Sequence, residues 1–297
     1  MPPLLYLHGL SSGDFVPVRH DQGQPIPWGP TWHGSEHVVV RDGVRLVCRD
    51  WGGPEQPIVL LHGLAGHVGE WDVLARRLSS RYRVVAVDQR GHGASERHPR
   101  DVSRAAYVAD VIAVVDQLAL QQPVLVGQSL GGHTAMLTAA AHPGLVRALV
   151  LVEAGSGGPN PNGPADIGAW LDSWPTPFPS REAAAAFLGG GPIGAGWAAG
   201  LEERDGGWWP RFDRDVMVRS LAENAQRSFW HEWRNVTCPT LVVLAQSSFI
   251  PAREADDMLR QRPATMATSI PGTGHEIHLE QPAILHTALL DFLEGLA

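Results

Sequence analysis

One serine stands in a sequence context that favours nucleophilic chemistry. Ser129 is the central residue of a G-x-S-x-G pattern at positions 127–131, directly after the apolar run Val124–Val126 and before a helical pattern that passes through Met136. Glycines on both sides of the serine permit a tight turn from strand to helix, which would lift the hydroxyl to the edge of a sheet at a helix N-terminus. The pattern therefore predicts that Ser129 is a nucleophile.

A serine nucleophile that attacks a carbonyl needs donors for the developing negative charge. Leu64 follows His62 and Gly63, directly after the apolar run Ile58–Leu61, and its backbone N–H could join that of Leu130. Two such N–H groups form an oxyanion hole. Gly63 and Gln128, which flank these positions, are expected to border the substrate pocket.

A serine nucleophile also needs a base. His275 ends the loop sequence Pro-Gly-Thr-Gly-His at positions 271–275, where it could take the proton from Ser129 and return it to the leaving group. The chain has 14 histidines, so an exposed His275 without a role is the alternative.

Parallel strands and helices would have to position these residues. A hairpin is predicted at His37–Arg41 and Val44–Trp51, around Asp42-Gly43. Short apolar runs typical of parallel strands buried on both faces follow at Ile58–Leu61, Val84–Val87, Val124–Val126, Leu149–Val152 and Leu241–Leu244. Helical spacing follows Ser103, a predicted N-cap. The alternation predicts an α/β fold, a doubly wound and mostly parallel sheet.

The alternation stops after residue 153 and resumes near residue 236. We predict a core of residues 37–153 and 236–297, a helical cap of residues 154–235 and an N-terminal extension of residues 1–36. A cap over the carboxyl ends of the strands would roof the ligand site. Most of its tryptophans are expected to pack internally, and some to line an apolar or aromatic pocket; the candidates are Trp170, Trp174, Trp208 and Trp209.

The chain resembles the α/β-hydrolase fold superfamily from about His37 to Ala297. The resemblance is carried by the three motifs above and by Asp88–Ser95, which looks like the turn after the family's fourth strand. The resemblance implies a serine hydrolase with Ser129 as nucleophile and His275 as base. It is specific for fold and class, and it leaves the substrate open.

The acid that would support His275 is missing from its usual place. Most of the family has an aspartate after the strand that corresponds to 240–245, where this chain has Gln-Ser-Ser at 246–248. Glu153 follows the strand Leu149–Val152, and haloalkane dehalogenases and zearalenone-type lactonases look similar in placing a glutamate there. We expect Glu153 to complete the triad; the alternatives are Asp256 or Asp257, a catalytic dyad assisted by Ser248 or water, and a Glu153 without a catalytic role.

Composition excludes several classes of protein. All 23 basic residues are arginines, which excludes Schiff-base chemistry and P-loops. The net charge of −8 argues against nucleic acid as a partner, and no apolar run reaches the length of a membrane span. Cys48 and Cys238 match no C-x-x-C spacing and are predicted to be free thiols. Without a recognisable secretion signal, the protein is expected to be cytoplasmic.

Two further motifs are incomplete. A G-x-G-x-x-G match at 189–194 follows an Ala-rich helical segment instead of a strand, so it does not indicate a dinucleotide site. His275-Glu276-Ile277-His278 is one residue short of the zinc motif H-E-x-x-H. Neither a cofactor nor a metal is therefore expected.

The sequence thus predicts a cofactor-free serine hydrolase that cleaves a carboxylic ester or lactone of a small hydrophobic molecule, with aromatic substrates among the candidates. Two alternatives remain: hydrolysis of C–C or thioester bonds with the same serine and histidine, and a hydrolase-like ligand sensor with little turnover. No feature of the sequence predicts an oligomeric state.

Overall fold

The computed structural model describes residues 34–54 and 56–296. The predicted N-terminal extension therefore lies outside the described residues, except for its last three positions. No helix in the described ranges is long and apolar enough to cross a membrane.

Ten strands and twelve helices form the described chain. The strands are β1 (Ser35–Arg41), β2 (Val44–Asp50), β3 (Pro57–Leu61), β4 (Arg83–Asp88), β5 (Val124–Gln128), β6 (Ala148–Val152), β7 (Glu202–Arg204), β8 (Gly207–Trp209), β9 (Thr240–Ala245) and β10 (Met266–Ile270). The helices are α1 (Asp72–Leu78), α2 (Arg104–Gln117), α3 (Leu130–Ala141), α4 (Gly163–Asp172), α5 (Arg181–Phe187), α6 (Gly191–Ala199), α7 (Arg214–Ser220), α8 (Ala222–Gln226), α9 (Trp230–Asn235), α10 (Ala252–Gln261), α11 (Ile277–Glu280) and α12 (Pro282–Glu294). A 3₁₀ turn covers Val68–Trp71.

The main sheet has eight strands in the order β1-β2-β4-β3-β5-β6-β9-β10. β1 and β2 are antiparallel, and β2 also pairs antiparallel with β4. All pairings from β4 to β10 are parallel. The doubly wound α/β fold predicted from the sequence is therefore confirmed, as is the hairpin, where Asp42 and Gly43 both have positive φ.

Helices cover both faces of this sheet, which explains why the central strands are apolar throughout. One face packs Val111 and Val114 of α2 and Met136 of α3 against the strands. The other face packs Leu74 of α1 and Leu289 of α12. The predicted N-cap also forms: Ser103 Oγ accepts a hydrogen bond from Ala106 N–H, and this begins α2.

The chain between β6 and β9 leaves the sheet. Helices α4 to α9 and the hairpin β7–β8 all fall within residues 154–235, the stretch that we predicted as a cap and call the inserted segment. It contributes a third apolar cluster, in which Leu171, Trp174 and Met217 pack together with Ala65 and Leu130. Since Leu130 follows Ser129, the inserted segment lies directly against the predicted nucleophile.

Candidate active site

Ser129 lies at a strained turn between β5 and α3. Its φ of 51° and ψ of −118° are unusual for a residue with a side chain. A Cβ on Gly127 would come within 2.3 Å of Gly131 O, and a Cβ on Gly131 within 2.2 Å of Leu61 O. Both glycines are therefore required by close backbone contacts, for the reason that the G-x-S-x-G pattern suggested.

Two backbone N–H groups are free beside this serine. Leu130 is the first residue of α3, so its N–H has no partner within the helix. The loop that carries Leu64 passes over the serine, because a Cβ on Gly63 would lie 3.4 Å from Ser129 Cβ. Among the described residues, neither the Leu64 N–H nor the Leu130 N–H donates to an acceptor. The two groups are thus available to a ligand.

Buried polar residues fix the loop that carries Leu64. The ring of His62 accepts a hydrogen bond from Gln89 N–H through Nε2, at 3.0 Å, and burial lowers its pKa to about 3, so the ring is neutral. Asp88 Oδ1 accepts from Val68 N–H at 2.8 Å, and Oδ2 accepts from Ala94 N–H at 2.8 Å. The stretch 88–95 therefore shapes the loops around the site.

His275 lies on the loop after β10 and contacts Glu153. The distance from His275 Nδ1 to Glu153 Oε2 is 3.5 Å. Gln128 Nε2 also donates to His275 O at 3.1 Å, which ties the histidine loop to the serine turn. The structure thus brings Glu153 and His275 together, and both line the same cavity as Ser129.

Glu153 is fully buried and surrounded by donors. Its Oε1 accepts from Ala245 N–H at 2.7 Å and from Ser248 Oγ at 2.8 Å, and its Oε2 accepts from Phe249 N–H at 3.0 Å. The residue adopts a φ of 48°, which turns the chain out of β6 immediately after the strand. β9 and the loop that follows it therefore hold the carboxylate in place.

These contacts set the charges of the pair. Burial alone would raise the pKa of Glu153, but the hydrogen bonds from His275, Ala245, Ser248 and Phe249 outweigh burial and lower it. Burial likewise opposes protonation of His275, but the hydrogen bond to Glu153 and the nearby carboxylates raise the pKa of its ring. The result is an ionised glutamate beside a histidine of increased basicity.

The two rival acids lie elsewhere. Asp256 and Asp257 are on α10, and within the described ranges neither has a hydrogen bond or ion pair with His275; Asp257 pairs with Arg260. Ser248, which we considered as part of a dyad, donates to Glu153 instead.

A cavity of about 820 Å³ opens above Ser129, between the sheet and the inserted segment. Its walls include Gly63 and Gln128, which were predicted to border the pocket, together with Leu64 and Leu130, the predicted oxyanion donors. From the inserted segment they include Trp170, also predicted, and Trp197, which was not.

The other three predicted tryptophans do not line this cavity. Trp174 is 6% exposed and packs edge-on against Trp170 and Trp197, with ring centroids 5.2 and 6.0 Å apart. Trp208 and Trp209 belong to β8, where Arg181 and Arg204 stack over their rings. The prediction that Trp174, Trp208 and Trp209 line the pocket was wrong, because these side chains pack within the inserted segment.

Sequence reasoning also missed two acids in the cavity wall. Glu70, in the 3₁₀ turn, and Glu276, directly after His275, both line the cavity. Glu70 contacts His278, since its Oε2 lies 3.3 Å from His278 Nε2. The only sequence signal was the proximity of each acid to a motif residue.

The remaining predictions concern sulfur and metals. Cys48 and Cys238 are free thiols, as expected. Within the described residues, no group of three or more His, Cys, Asp or Glu side chains is arranged to hold a metal ion.

Comparison with known proteins places this geometry in a family. Residues 58–288 match the model of the alpha/beta hydrolase family. A 2-(acetamidomethylene)succinate hydrolase from Mesorhizobium japonicum is 28% identical over 278 residues, covering 88% of this chain and 97% of that protein. The sn-1-specific diacylglycerol lipase ABHD11 of Mus musculus is 31% identical over 251 residues, 80% of each chain.

A solved structure extends the likeness to three dimensions. The crystal structure of an E-2-(acetamidomethylene)succinate hydrolase superposes with a TM-score of 0.80 at 26% identity, covering 88% of this chain and 100% of that one. Family match, relatives and architecture agree with the serine turn and the strand order described above. The chain belongs to the alpha/beta hydrolase family.

Proposed function

We propose that the protein is a cofactor-free serine hydrolase that cleaves a carboxylic ester or lactone through an acyl-enzyme on Ser129. The observation that supports this most directly is the convergence of Ser129, the His275–Glu153 contact and two unpartnered backbone N–H groups on one cavity. Together these groups meet the requirements of acyl transfer: a nucleophile, a base and donors for an oxyanion.

In the proposed reaction, His275 Nε2 takes the proton of the Ser129 hydroxyl as Oγ attacks the substrate carbonyl. The N–H groups of Leu64 and Leu130 hold the carbonyl oxygen as it becomes negative. His275 then gives the proton to the leaving oxygen, and the acyl-enzyme forms. Water, deprotonated by the same histidine, attacks the acyl-enzyme and releases the acid.

Glu153 has a separate role in this proposal. As an ionised carboxylate next to Nδ1, it keeps the proton on that nitrogen and leaves Nε2 free to act as base. It also stabilises the imidazolium that forms in each step. The donors from β9 and the loop after it supply the rigidity that this role requires.

The cavity supports a largely apolar substrate. Trp170 and Trp197 pack edge-on, with ring centroids 5.7 Å apart, and Ile167, Phe229 and Ile250 add further apolar wall. A volume of about 820 Å³ is within the range of small-molecule sites. An aromatic or macrocyclic ester or lactone therefore fits the proposal.

Stopped-flow measurement with p-nitrophenyl acetate tests the proposal. We expect a burst of one equivalent of p-nitrophenol per protein chain, and a mass increase of one acetyl group on the peptide that contains Ser129. Ser129→Ala should give neither signal. An intact Ser129 that forms no acyl-enzyme with any activated ester would favour the ligand sensor over the hydrolase.

One finding favours a second candidate, the hydrolysis of C–C or thioester bonds. A relative from Cupriavidus pinatubonensis, 34% identical over 134 residues, is named as a hydrolase of 2-hydroxy-6-oxononadienedioate, a keto dicarboxylate without an ester or amide bond. The same serine, histidine and oxyanion donors are suited to β-diketones and thioesters. Comparing kcat/KM across an aryl ester, a macrolactone, a β-diketone and an acyl thioester separates the two candidates.

A further inference from the structure

Glu70 is a buried acid in the wall of the active-site cavity, and the proposed mechanism does not use it. It lies on the 3₁₀ turn that follows the Leu64 loop, and a Cβ on Gly66 would come within 2.8 Å of its Oε2. The residue is only 2% exposed. Among the described residues, its Oε1 has no hydrogen-bond partner.

Among the described residues, no arginine forms an ion pair with Glu70. Its Oε2 lies 3.3 Å from His278 Nε2, and this is its one ion-pair contact in the described part of the chain. The titratable groups around it are His67 on its own turn, Asp88 at the end of β4 and His278 on α11. Beyond His278 lie its other titratable neighbours, Glu276, His275 and Glu280.

Burial favours the uncharged form of both partners of the Glu70–His278 contact, and Glu70 is mostly protonated below pH 7. Burial raises the pKa of Glu70 to about 7 and lowers the pKa of His278 to about 4. When neutral His278 carries its proton on Nε2, it donates to Glu70 Oε2, and the acid proton of Glu70 is then on Oε1, the oxygen without a partner among the described residues.

We propose that Glu70 binds the substrate: as a neutral carboxylic acid it donates a hydrogen bond from Oε1 to an oxygen on the acyl part of the substrate. The inference rests on the proposed function and adds a specificity-determining residue to it. A buried donor without an acceptor is unfavourable in the free protein, so a substrate that supplies the acceptor is preferred over one that does not.

The acyl part is the expected partner because of where Glu70 lies in the chain. Leu64, whose N–H holds the carbonyl oxygen in the proposed mechanism, and Glu70 belong to one continuous loop and turn, closed by the hydrogen bond from Gly66 N–H to Gly63 O. The leaving group has to face His275, which gives it the proton. We therefore assign the acceptor to the acyl part, whose carbonyl oxygen is held by the Leu64 N–H of the same loop.

Two esters of equal chain length test the proposal. p-Nitrophenyl levulinate carries a keto oxygen on its acyl chain, and p-nitrophenyl valerate does not. Wild-type protein is expected to prefer the levulinate by about tenfold in kcat/KM, mainly through KM. Glu70→Gln, which keeps a donor, should retain this preference within about twofold, and Glu70→Met, which keeps the volume alone, should lose it.

The pH profile is a second readout, and a purely structural role would not change it. Deprotonation of Glu70 removes the donor, so the levulinate preference of the wild type should decline above about pH 7. In Glu70→Gln the preference should persist to higher pH. Asp256→Asn is the matched control, because Asp256 also has an unpartnered oxygen but does not line the cavity, and it should behave like wild type.

Failure of the inference is distinguishable from failure of the proposed function. If wild type and Glu70→Met both give the acyl-enzyme burst and have equal levulinate preference, Glu70 does not bind the substrate and the hydrolase proposal stands. The same conclusion follows if Glu70→Gln and Glu70→Met lose activity equally. If no ester gives a burst, the proposed function fails first, and this inference fails with it.

Discussion

Two glutamates in the wall of the active-site cavity each contact a histidine at a similar distance, and their pKa values are shifted in opposite directions. Glu153 lies 3.5 Å from His275, and Glu70 lies 3.3 Å from His278. Both glutamates are almost completely inaccessible to solvent. Yet the pKa of Glu153 is lowered, whereas that of Glu70 is raised to about 7.

The difference comes from the number of donors around each carboxylate. Glu153 accepts from two backbone N–H groups and one hydroxyl in addition to His275, and these bonds offset the loss of hydration. For Glu70, His67 and its backbone N–H lower the pKa by less than burial raises it, and Oε1 has no partner among the described residues. Burial therefore does not decide whether an acid in this cavity is ionised; the local hydrogen bonds do.

Removing the charge of Glu153 should have the largest effect on activity. Glu153→Gln keeps the shape of the side chain but cannot stabilise an imidazolium, and its amide can hold His275 in the wrong tautomer. We expect kcat for p-nitrophenyl acetate to fall by about 10³- to 10⁴-fold. Circular dichroism should show that the fold is retained.

The matched control for this variant is Asp257→Asn. Asp257 is an acid on α10 that pairs with Arg260 and has no contact with His275 in the described structure, so its kcat should stay within about twofold of wild type. Near-wild-type activity of Glu153→Gln would remove Glu153 from the mechanism and reopen the question of the acid.

Replacing the titratable Glu70 should change how stability depends on pH. The pKa of Glu70 is raised on folding, so the folded state binds more protons than the unfolded state between about pH 4.5 and 7, and the contribution of Glu70 to stability is lost as pH rises through that window. Glu70→Gln does not titrate. Its free energy of unfolding relative to wild type should therefore increase from pH 5 to pH 8, by at most about 3 kcal/mol.

Urea unfolding of both proteins across this pH range measures the difference directly. The titration of His278 is common to both, so the difference isolates Glu70 as long as His278 stays neutral in the folded variant. A constant difference between pH 5 and 8 would mean that Glu70 is already ionised in the folded wild type at pH 5.

The sequence predicted the contact between Glu153 and His275 and missed the contact between Glu70 and His278, for a physical reason. Glu153 directly follows β6, the parallel strand next to β5, so the rule that carboxyl ends of parallel strands share one edge was enough to place it near Ser129. Glu70 and His278 are separated by 208 positions and meet only because the 3₁₀ turn packs against α11. No periodicity or motif encodes that packing.

The positions of the tryptophans in the inserted segment could not be predicted from the sequence either. Trp170 and Trp174 are four residues apart, and only Trp170 lines the cavity. Strand order follows from local apolar runs and connection rules, but the orientation of short helices over a sheet depends on side-chain packing. The serine turn could thus be predicted at residue level, and the pocket above it could not.

Ser248→Ala makes the smallest change to the surroundings of Glu153, because Ser248 is one of the donors that distinguish Glu153 from Glu70. Ser248→Ala removes a 2.8 Å hydrogen bond to Glu153 Oε1 and leaves the two backbone donors in place. The carboxylate then becomes more basic and holds the imidazolium more strongly, which raises the pKa of His275 further. We expect kcat/KM to fall by about tenfold near neutral pH.

The pH profile of Ser248→Ala shows in which direction the pKa of His275 shifts. His275 must be neutral to act as base, so kcat/KM declines as pH falls through the pKa of its ring, which is already raised in the wild type. This acid limb should move to higher pH in Ser248→Ala and to lower pH in Glu153→Gln, because one change strengthens the carboxylate as a partner of His275 and the other removes its charge. A limb that moves in the same direction in both variants would contradict the view that donors to Glu153 set the basicity of His275.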